Sequence, residues 1–414
     1  MIDEAPAPRV PSLWQNLDYL ILWSGQIVSS FGSSISGITV PLLVLAVTHS
    51  PAQAGLVAGV GALPYPIFGL VAGALVDRWD RKTVMVVCAL ASGVATGSVG
   101  AAVLLGHLTI VQLYVVGLFN GTLFVFSSLA EMAAIPSVVT KEQLPTAFAQ
   151  NQAVGSVAGL TGPPLGGALF QTARAVPFLA DGVSFLLSAV SLLFVRARFQ
   201  QERATVRRNL RLEITEGLRW LWGQHLLRML AFLVAGINFL FAGAELIIIV
   251  LARSQHAPPV VIGGIFALAS IGGLAGSAVG PRVQRKFSFR AAIVGVIALD
   301  ALSWPLYLIA GNAVLLGLVT AVTFLLTPVF NVVGVSYRAA VIPDALQGRV
   351  LGAFRVVVWG VLPLGAALAG ISLQRLGVRP TVLIVSIALA LLALSAAASR
   401  SIREAPPLSA VEPG

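Results

Sequence analysis

Twelve stretches of this chain are long and apolar enough to cross a bilayer, and only short polar breaks separate most of them. A span needs about 20 apolar residues. Runs of that kind lie at about 20–47, 53–76, 83–105, 110–134, 146–170, 175–195, 229–252, 259–280, 290–310, 313–336, 349–372 and 377–398. In hydrocarbon every backbone N–H and C=O must be satisfied within the segment, so the spans are expected to be helices. The fold class that follows is an all-α membrane protein with twelve transmembrane helices. Composition agrees at the point that matters. Only 10% of the residues are charged and 57% are hydrophobic, where a soluble domain is about 25% charged.

The charge that remains is distributed unevenly. A net charge of +10 suggests nucleic acid in a soluble chain, but here it reads as orientation. With both termini and every even-numbered loop on one side, the other side holds Arg174, Arg253, Arg375 and Arg379, leaving 22 of the 26 Lys and Arg with the termini. Basic loops stay inside. The expected localisation is therefore the cytoplasmic (inner) membrane, multi-pass, with both termini cytoplasmic. No basic region, short apolar core and cleavage site precede residue 18, so the first span is expected to serve as an uncleaved signal. Cys88 is the single cysteine and sits in an apolar run, which reads as an inert small hydrophobe. No phosphate-binding Gly-Lys-Ser/Thr loop and no His-Glu-x-x-His occurs, and His49, His107, His225 and His256 lie at helix ends. Neither an ATPase, an enzyme, a metal centre, a cofactor nor a nucleic-acid partner is expected.

Between the second and third spans runs G-A-L-V-D-R-W-D-R-K, residues 73–82. Its Gly73, Asp77, Arg78, Arg81 and Lys82 resemble the loop between helices 2 and 3 of major facilitator superfamily transporters. In that family the loop is cytoplasmic and helps latch the two halves together. Asp80 stands where a small residue is usual. A decayed copy, Gly276 with Arg285-Lys286, follows the eighth span, and Ala133-Ala134-Ile135-Pro136 recurs as Ala339-Ala340-Val341-Ile342-Pro343. Such a repeat fits two six-helix halves around a central site. The expected division is 1–195, a cytoplasmic linker 196–228, 229–400, and a disordered tail 401–414. In the linker Leu210, Ile214, Leu218 and Leu221 recur at helical spacing beside Trp220 and Trp222. That pattern predicts an amphipathic helix on the inner leaflet.

The fifth span carries Gly155, Gly159, Gly162-Pro163-Pro164 and Gly166-Gly167. Small residues at this spacing let helices approach closely, and the prolines remove backbone donors. The run resembles the helix 5 pattern of major facilitator exporters and favours export over import. Residues 135–144, the loop 343–350, Gly217–Trp222 and Asp181-Gly-Val-Ser-Phe resemble the enterobactin-exporter-like and macrolide-efflux-like branch. The resemblance implies a secondary active transporter, a proton-coupled exporter of small amphiphilic molecules such as drugs, macrolides or siderophores, working by alternating access. Its partners are then a small-molecule substrate, protons and the lipid bilayer. A nutrient or metabolite importer of the same fold, or a non-transporting scaffold, is the alternative.

Polar stripes inside spans point to protein or water rather than lipid, although Ser and Thr also bond their own helix backbone. Such stripes occur on helix 1 (Gln26, Ser30, Ser33), helix 4 (Asn120, Phe124, Ser127, Glu131), helix 7 (Asn238, Glu245) and helix 10 (Thr320, Thr323, Thr327, Asn331, Arg338). Helix 6 carries another, Asp181, Ser184, Ser188 and Ser191. In the resembled fold helices 1, 4, 7 and 10 face the cavity. The substrate-cavity candidates are therefore Gln26, Ser30, Asn120, Phe124, Asn238, Phe241, Thr327 and Asn331. Trp304 and Trp359 are further candidates for stacking surface. An ionised carboxylate at the bilayer centre costs about 2.5–3.5 kcal/mol, so Glu131, Asp181, Glu245 and Asp300 are the proton-coupling candidates. Glu245 ranks first, Glu131 is expected near Arg338 or Lys141, and Asp300 lies on a helix that is peripheral in the resembled fold.

Overall fold

The structure is a computed structural model that describes residues 12–197, 199, 210–343 and 346–404. Among these residues every regular element is a helix. The first six spans are α1 (Leu17–Thr48), the pair α2 (Pro51–Ala62) and α3 (Pro64–Val76), α4 (Arg81–Leu104), α5 (Ile110–Val138), α6 (Leu144–Thr172) and α7 (Val176–Phe194). A connecting helix, α8 (Leu210–Gly223), precedes α9 (His225–Phe241) with α10 (Ala244–Ser254), then α11 (Pro259–Lys286). The chain ends with α12 (Phe289–Ser303) and α13 (Leu306–Ile309), α14 (Ala313–Val341), α15 (Gln347–Trp359) and α16 (Leu362–Leu376), α17 (Val378–Ala398) and the short α18 (Arg400–Arg403). Ten of these segments are long and apolar enough to cross a membrane. The other two expected spans are also helical. One, α2–α3, is broken at Leu63 before Pro64, and the other, α6, is 29 residues long but rich in polar and small residues.

The polar breaks start the helices. Asn16, Ser50, Asp80, Thr109, Ser288 and Asn312 each accept a backbone N–H from the first turn of the helix that follows, satisfying a donor that the helix leaves free. Asp80, unusual in the loop motif, is thereby explained. Its carboxylate accepts from both the N–H and the hydroxyl of Thr83 at 2.7 Å. Spans 7, 9 and 11 are interrupted, at Ala242-Gly243, Trp304-Pro305 and Gly360-Val361, where continuous helices are expected. The prolines inside α1, α5, α6, α11 and α14 leave their helices unbroken.

Large apolar side chains cover the outside, Val94, Leu105, Val111, Phe194, Ile309 and Leu394 among them. In water such a surface is a liability, and in lipid it is the required one. The first six and last six spans meet chiefly through two helix pairs, with smaller contacts of α3 with α15 and of α10 with α1 and α2. One is α2 with α16, the other α6 with α11. A Cβ on Gly55 would lie 2.5 Å from the Ala366 carbonyl oxygen, and one on Gly370 would lie 2.6 Å from that of Pro51. A Cβ on Gly167 would lie 2.1 Å from the Pro259 oxygen, and one on Gly263 would lie 2.2 Å from that of Pro163. These contacts sit at the end of the molecule where the loops at 49–50 and 255–258 lie. Towards the other end, Gly155 and Gly73 have open space around them. The close contacts between the two sets of spans are thus concentrated at one end. Midway, Tyr65 stacks on Trp359 with ring centroids 4.5 Å apart.

The linker helix departs from expectation. Its Leu221 is fully buried in the protein core, and a Cβ on Gly217 would lie 2.5 Å from the Arg349 carbonyl oxygen. Arg349 donates to Glu216 at 2.6 Å. Thus α8 docks on α15 and the start of α9, and this face of it meets protein rather than the inner leaflet, while Trp222 stays half exposed. Gly217→Val is expected to undock α8, since overpacking against backbone costs about 1–3 kcal/mol. In a Cys88→Ser background, Leu221→Cys should react slowly with maleimide and rapidly once Gly217→Val is added. The tail from 405, together with Arg203, Arg207, Arg208, Asp344 and Ala345, lies outside the described residues.

Candidate functional site

The chemistry concentrates in a cavity of about 400 Å³ inside the first six spans, walled by α1, α2, α4, α5 and α7. Along α1 the wall is Gln26, Ser29, Ser30, Ser33 and Ser36. Four of the eight substrate-cavity candidates line it, namely Gln26, Ser30, Asn120 and Phe124, with Glu131 and Asp181. Phe124 presents a largely exposed ring, and Asn120 donates to Thr96 at 2.9 Å while its own buried oxygen has no partner.

The two carboxylates are met by side chains at two levels of α1. Gln26 is the polar side chain beside Glu131, so neither Arg338 nor Lys141 takes that place. Arg338 instead lies over the Phe354 ring at 4.3 Å. Asp181 is 2% exposed and accepts from Ser36 at 2.5 Å and from Ser184 at 3.3 Å. Its position depends on Gly32 of α1, where a Cβ would lie 2.7 Å from an Asp181 carboxylate oxygen. Gln26 and Ser36 are ten residues apart, which is about 15 Å along a helix. The cavity therefore carries an acid near each end, hydroxyls along one wall and apolar side chains such as Val40, Val57, Val99, Leu113 and Phe178 elsewhere. Among the described residues no Lys or Arg lines it.

Sequence reasoning missed the α4 wall. Cys88, Ser92 and Thr96 recur every four residues and all face the cavity. That spacing is the same signal read on helices 1 and 4, and reading Cys88 as inert core hid it. The helix 6 stripe is divided. Asp181 and Ser188 reach the cavity, whereas Ser184 and Ser191 fill the space beside Gly32 and Gly25 of α1.

The remaining candidates lie elsewhere. Asn238, Thr327 and Asn331 border a separate cavity of about 40 Å³ in the last six spans, with Asp300. Phe241 packs edge-on against buried Trp304 with centroids 5.8 Å apart. Glu245 borders neither cavity. Its side chain is exposed in the first turn of α10, between buried Ala244 and Leu246. In the loop motif Arg81 donates to the carbonyls of Ala133 and Phe199 and pairs with Asp77 at 3.2 Å. Lys82 donates to the carbonyls of Leu193 and Val195. These bonds brace spans 2, 3, 4 and 6 against one another. Of the helix 5 glycines, Gly162 and Gly166 take up α1 at Ser34 and Ile35, Gly167 takes up α11, and Ser270 donates to the Gly159 carbonyl at 2.8 Å. Gly155 packs against nothing. Among the described residues no group of three His, Cys, Asp and Glu side chains gathers where a metal ion could bind.

The sequence profile described as Major Facilitator Superfamily matches residues 22–366. The multidrug efflux pump Tap of Mycolicibacterium fortuitum is 26% identical over 399 residues, covering 93% of this chain and 96% of its own. Macrolide efflux protein A of Streptococcus pyogenes is 28% identical over 190 residues, 44% of this chain and 45% of its own. Among solved structures, a bacterial homologue of the human lysosomal transporter Spinster, in an inward-facing and unoccupied conformation, superposes with a TM-score of 0.76 at 15% identity, covering 95% of this chain and 98% of its own. The nucleoside transporter NupG superposes with a TM-score of 0.74 at 13% identity, covering 92% and 98%.

Proposed function

The chain belongs to the major facilitator superfamily, and on that premise we propose that it is a proton-coupled exporter of small, amphiphilic, positively charged molecules. One observation carries this reading: the 400 Å³ cavity has two carboxylates, hydroxyls and apolar surface, and among the described residues no basic side chain on its wall. Its volume falls in the range of drug-sized sites, about 300–1,000 Å³. An organic cation gains from such a wall what an anion loses. A proton and an organic cation compete for the same carboxylates, so binding of one displaces the other, and exchange follows from that competition. Export rather than import is supported by the helix 5 glycines and by relatives whose names describe efflux.

The halves 1–195 and 229–400 then rock against one another and change the side from which the cavity is reached. With the arginine-rich loops in the cytoplasm of a cell bounded by this membrane, the end of close contacts is the outer, closed one and the structure faces inward. Asp77, Arg81 and Lys82 brace the first half in this state, and Gly73, Asp77, Arg78, Arg81 and Lys82 gate or latch the cytoplasmic side. Glu245 is the reserve proton carrier. The test is accumulation of a panel of cationic dyes, macrolides and siderophores in efflux-deficient cells expressing the chain, with and without a protonophore. The expected result is lower accumulation of cationic members, reversed by the protonophore. Raised accumulation would make the protein an importer.

A further inference from the structure

The cavity in the first six spans is long. Its wall runs from Gln26 to Val40 on α1 and from Met85 to Val99 on α4, fourteen residues apart in each helix, or about 21 Å. A volume of about 400 Å³ drawn out over that length is a narrow slot. The two acids stand at different levels of it. Ser36, which donates to Asp181, is ten residues along α1 from Gln26, the polar neighbour of Glu131. On α7, Leu192 is eleven residues from Asp181 and packs in one apolar cluster with Ala130 and Ala134, which flank Glu131 on α5. Both spacings put the acids about 15 Å apart along the slot.

The Asp181 level carries a further acceptor. Asn120 donates to Thr96 at 2.9 Å, between Gly93 and Gly97, where the α7 backbone at Gly182 packs. The buried Asn120 carbonyl oxygen has no partner. Asp181 itself has capacity left: a carboxylate offers about four lone-pair sites, and Ser36 and Ser184 fill two. Between the two levels, four residues from Asn120 and seven from Glu131, stands Phe124 with its ring 60% exposed. The slot thus has a negative group at each of two levels and an aromatic face between them, and among the described residues no Lys or Arg on its wall. A ligand with one positive charge reaches one acid only. It leaves the other carboxylate buried without a counter-charge, which is the costly arrangement.

We infer that the preferred substrate is an elongated dication, with two positive charges about 15 Å apart joined by an apolar or aromatic spacer that lies on Phe124. The inference rests on the reading of this cavity as the substrate site. The test is calorimetric binding, to the purified full chain, of alkanes that carry trimethylammonium at both ends. With ten methylenes the nitrogens stand about 14 Å apart, close to the 15 Å between the acids, and with five they cannot reach both. Each dication is compared with the same chain bearing a hydroxyl in place of one ammonium. The ten-carbon dication is expected to bind about 100-fold tighter than its hydroxyl analogue, because a matched link makes the second contact intramolecular. For the five-carbon pair the advantage should be under about tenfold. Glu131→Gln and Asp181→Asn should each bring the ten-carbon advantage down to that level. Equal binding of the ten-carbon dication and its hydroxyl analogue by the unmodified chain overturns the inference and leaves the export reading standing. An undiminished advantage in both folded variants also overturns it. If the variants fail to fold, the length series decides, and an equal advantage for five and ten carbons overturns it. No binding of any of these cations to the unmodified chain would remove the cation-export reading, and this inference with it.

Discussion

Glu131→Gln and Asp181→Asn are each expected to cut uphill export by about 100-fold, equivalent to about 2.7 kcal/mol, while leaving the protein folded and in the membrane. Both amides keep the size and the acceptor oxygen of the acid. Gln26 retains a partner at residue 131, and Ser36 and Ser184 retain one at residue 181. What is lost is the negative charge that a proton and an organic cation share. The discriminating assay uses proteoliposomes loaded with a cationic dye that the accumulation screen identifies. Efflux driven by an imposed pH gradient should vanish in both variants, and the dissociation constant for the dye should rise. Glu245→Gln serves as comparison. If it alone abolishes gradient-driven efflux while the two cavity variants keep it, coupling lies at the first turn of α10 and the cavity acids only shape the site.

The sequence shows the spans far better than it shows the site, and the reason is physical. A span is a local property: twenty apolar residues, then a polar residue that caps the next helix. Asp80 and Asn312 do their capping within three residues of themselves, so a linear reading finds them. The cavity is assembled from five helices, and its walls follow from which helix leans on which. At the break Ala242-Gly243, Ala369 stands where a Gly243 side chain would go, a contact far away in sequence. Asn238 illustrates the same limit. A polar stripe on helix 7 marks it as facing polar surroundings, but only the structure shows its amide engaged with the Val358 carbonyl. Glu245 ranks first on sequence because it shares a helix with Asn238. In space Glu131 and Asp181 share a cavity that Glu245 does not border, and on the export reading they come before it. The linker helix errs in an instructive way: an amphipathic pattern states that one face is covered, not whether lipid or α15 covers it.

The glycines at the closed end yield the second large effect. Gly55→Val and Gly167→Val are each expected to abolish transport by removing the closed state. The obstacle at either position is backbone: the Ala366 carbonyl 2.5 Å from a Cβ on residue 55, the Pro259 carbonyl 2.1 Å from one on residue 167. No rotamer change relieves such a contact, so the helix pairs α2–α16 and α6–α11 must separate. Overpacking of this kind costs about 1–3 kcal/mol, and that is enough to shift a two-state equilibrium about 5–150-fold. In a Cys88→Ser background, Ser33→Cys places a thiol on the cavity wall. A membrane-impermeant maleimide added from the closed side should label it slowly, and much faster once Gly55→Val or Gly167→Val is present. Gly155→Val is the matched control, on the same helix as Gly167 but with open space around it, and should label like its parent. Gly73→Val carries the opposite expectation. Its surroundings are empty, so it leaves this state intact and obstructs only the state in which that end closes. Transport should then fail with labelling from the closed side still slow. Fast labelling in Gly73→Val, or slow labelling in both Gly55→Val and Gly167→Val, would mean that these helix pairs do not form the gate.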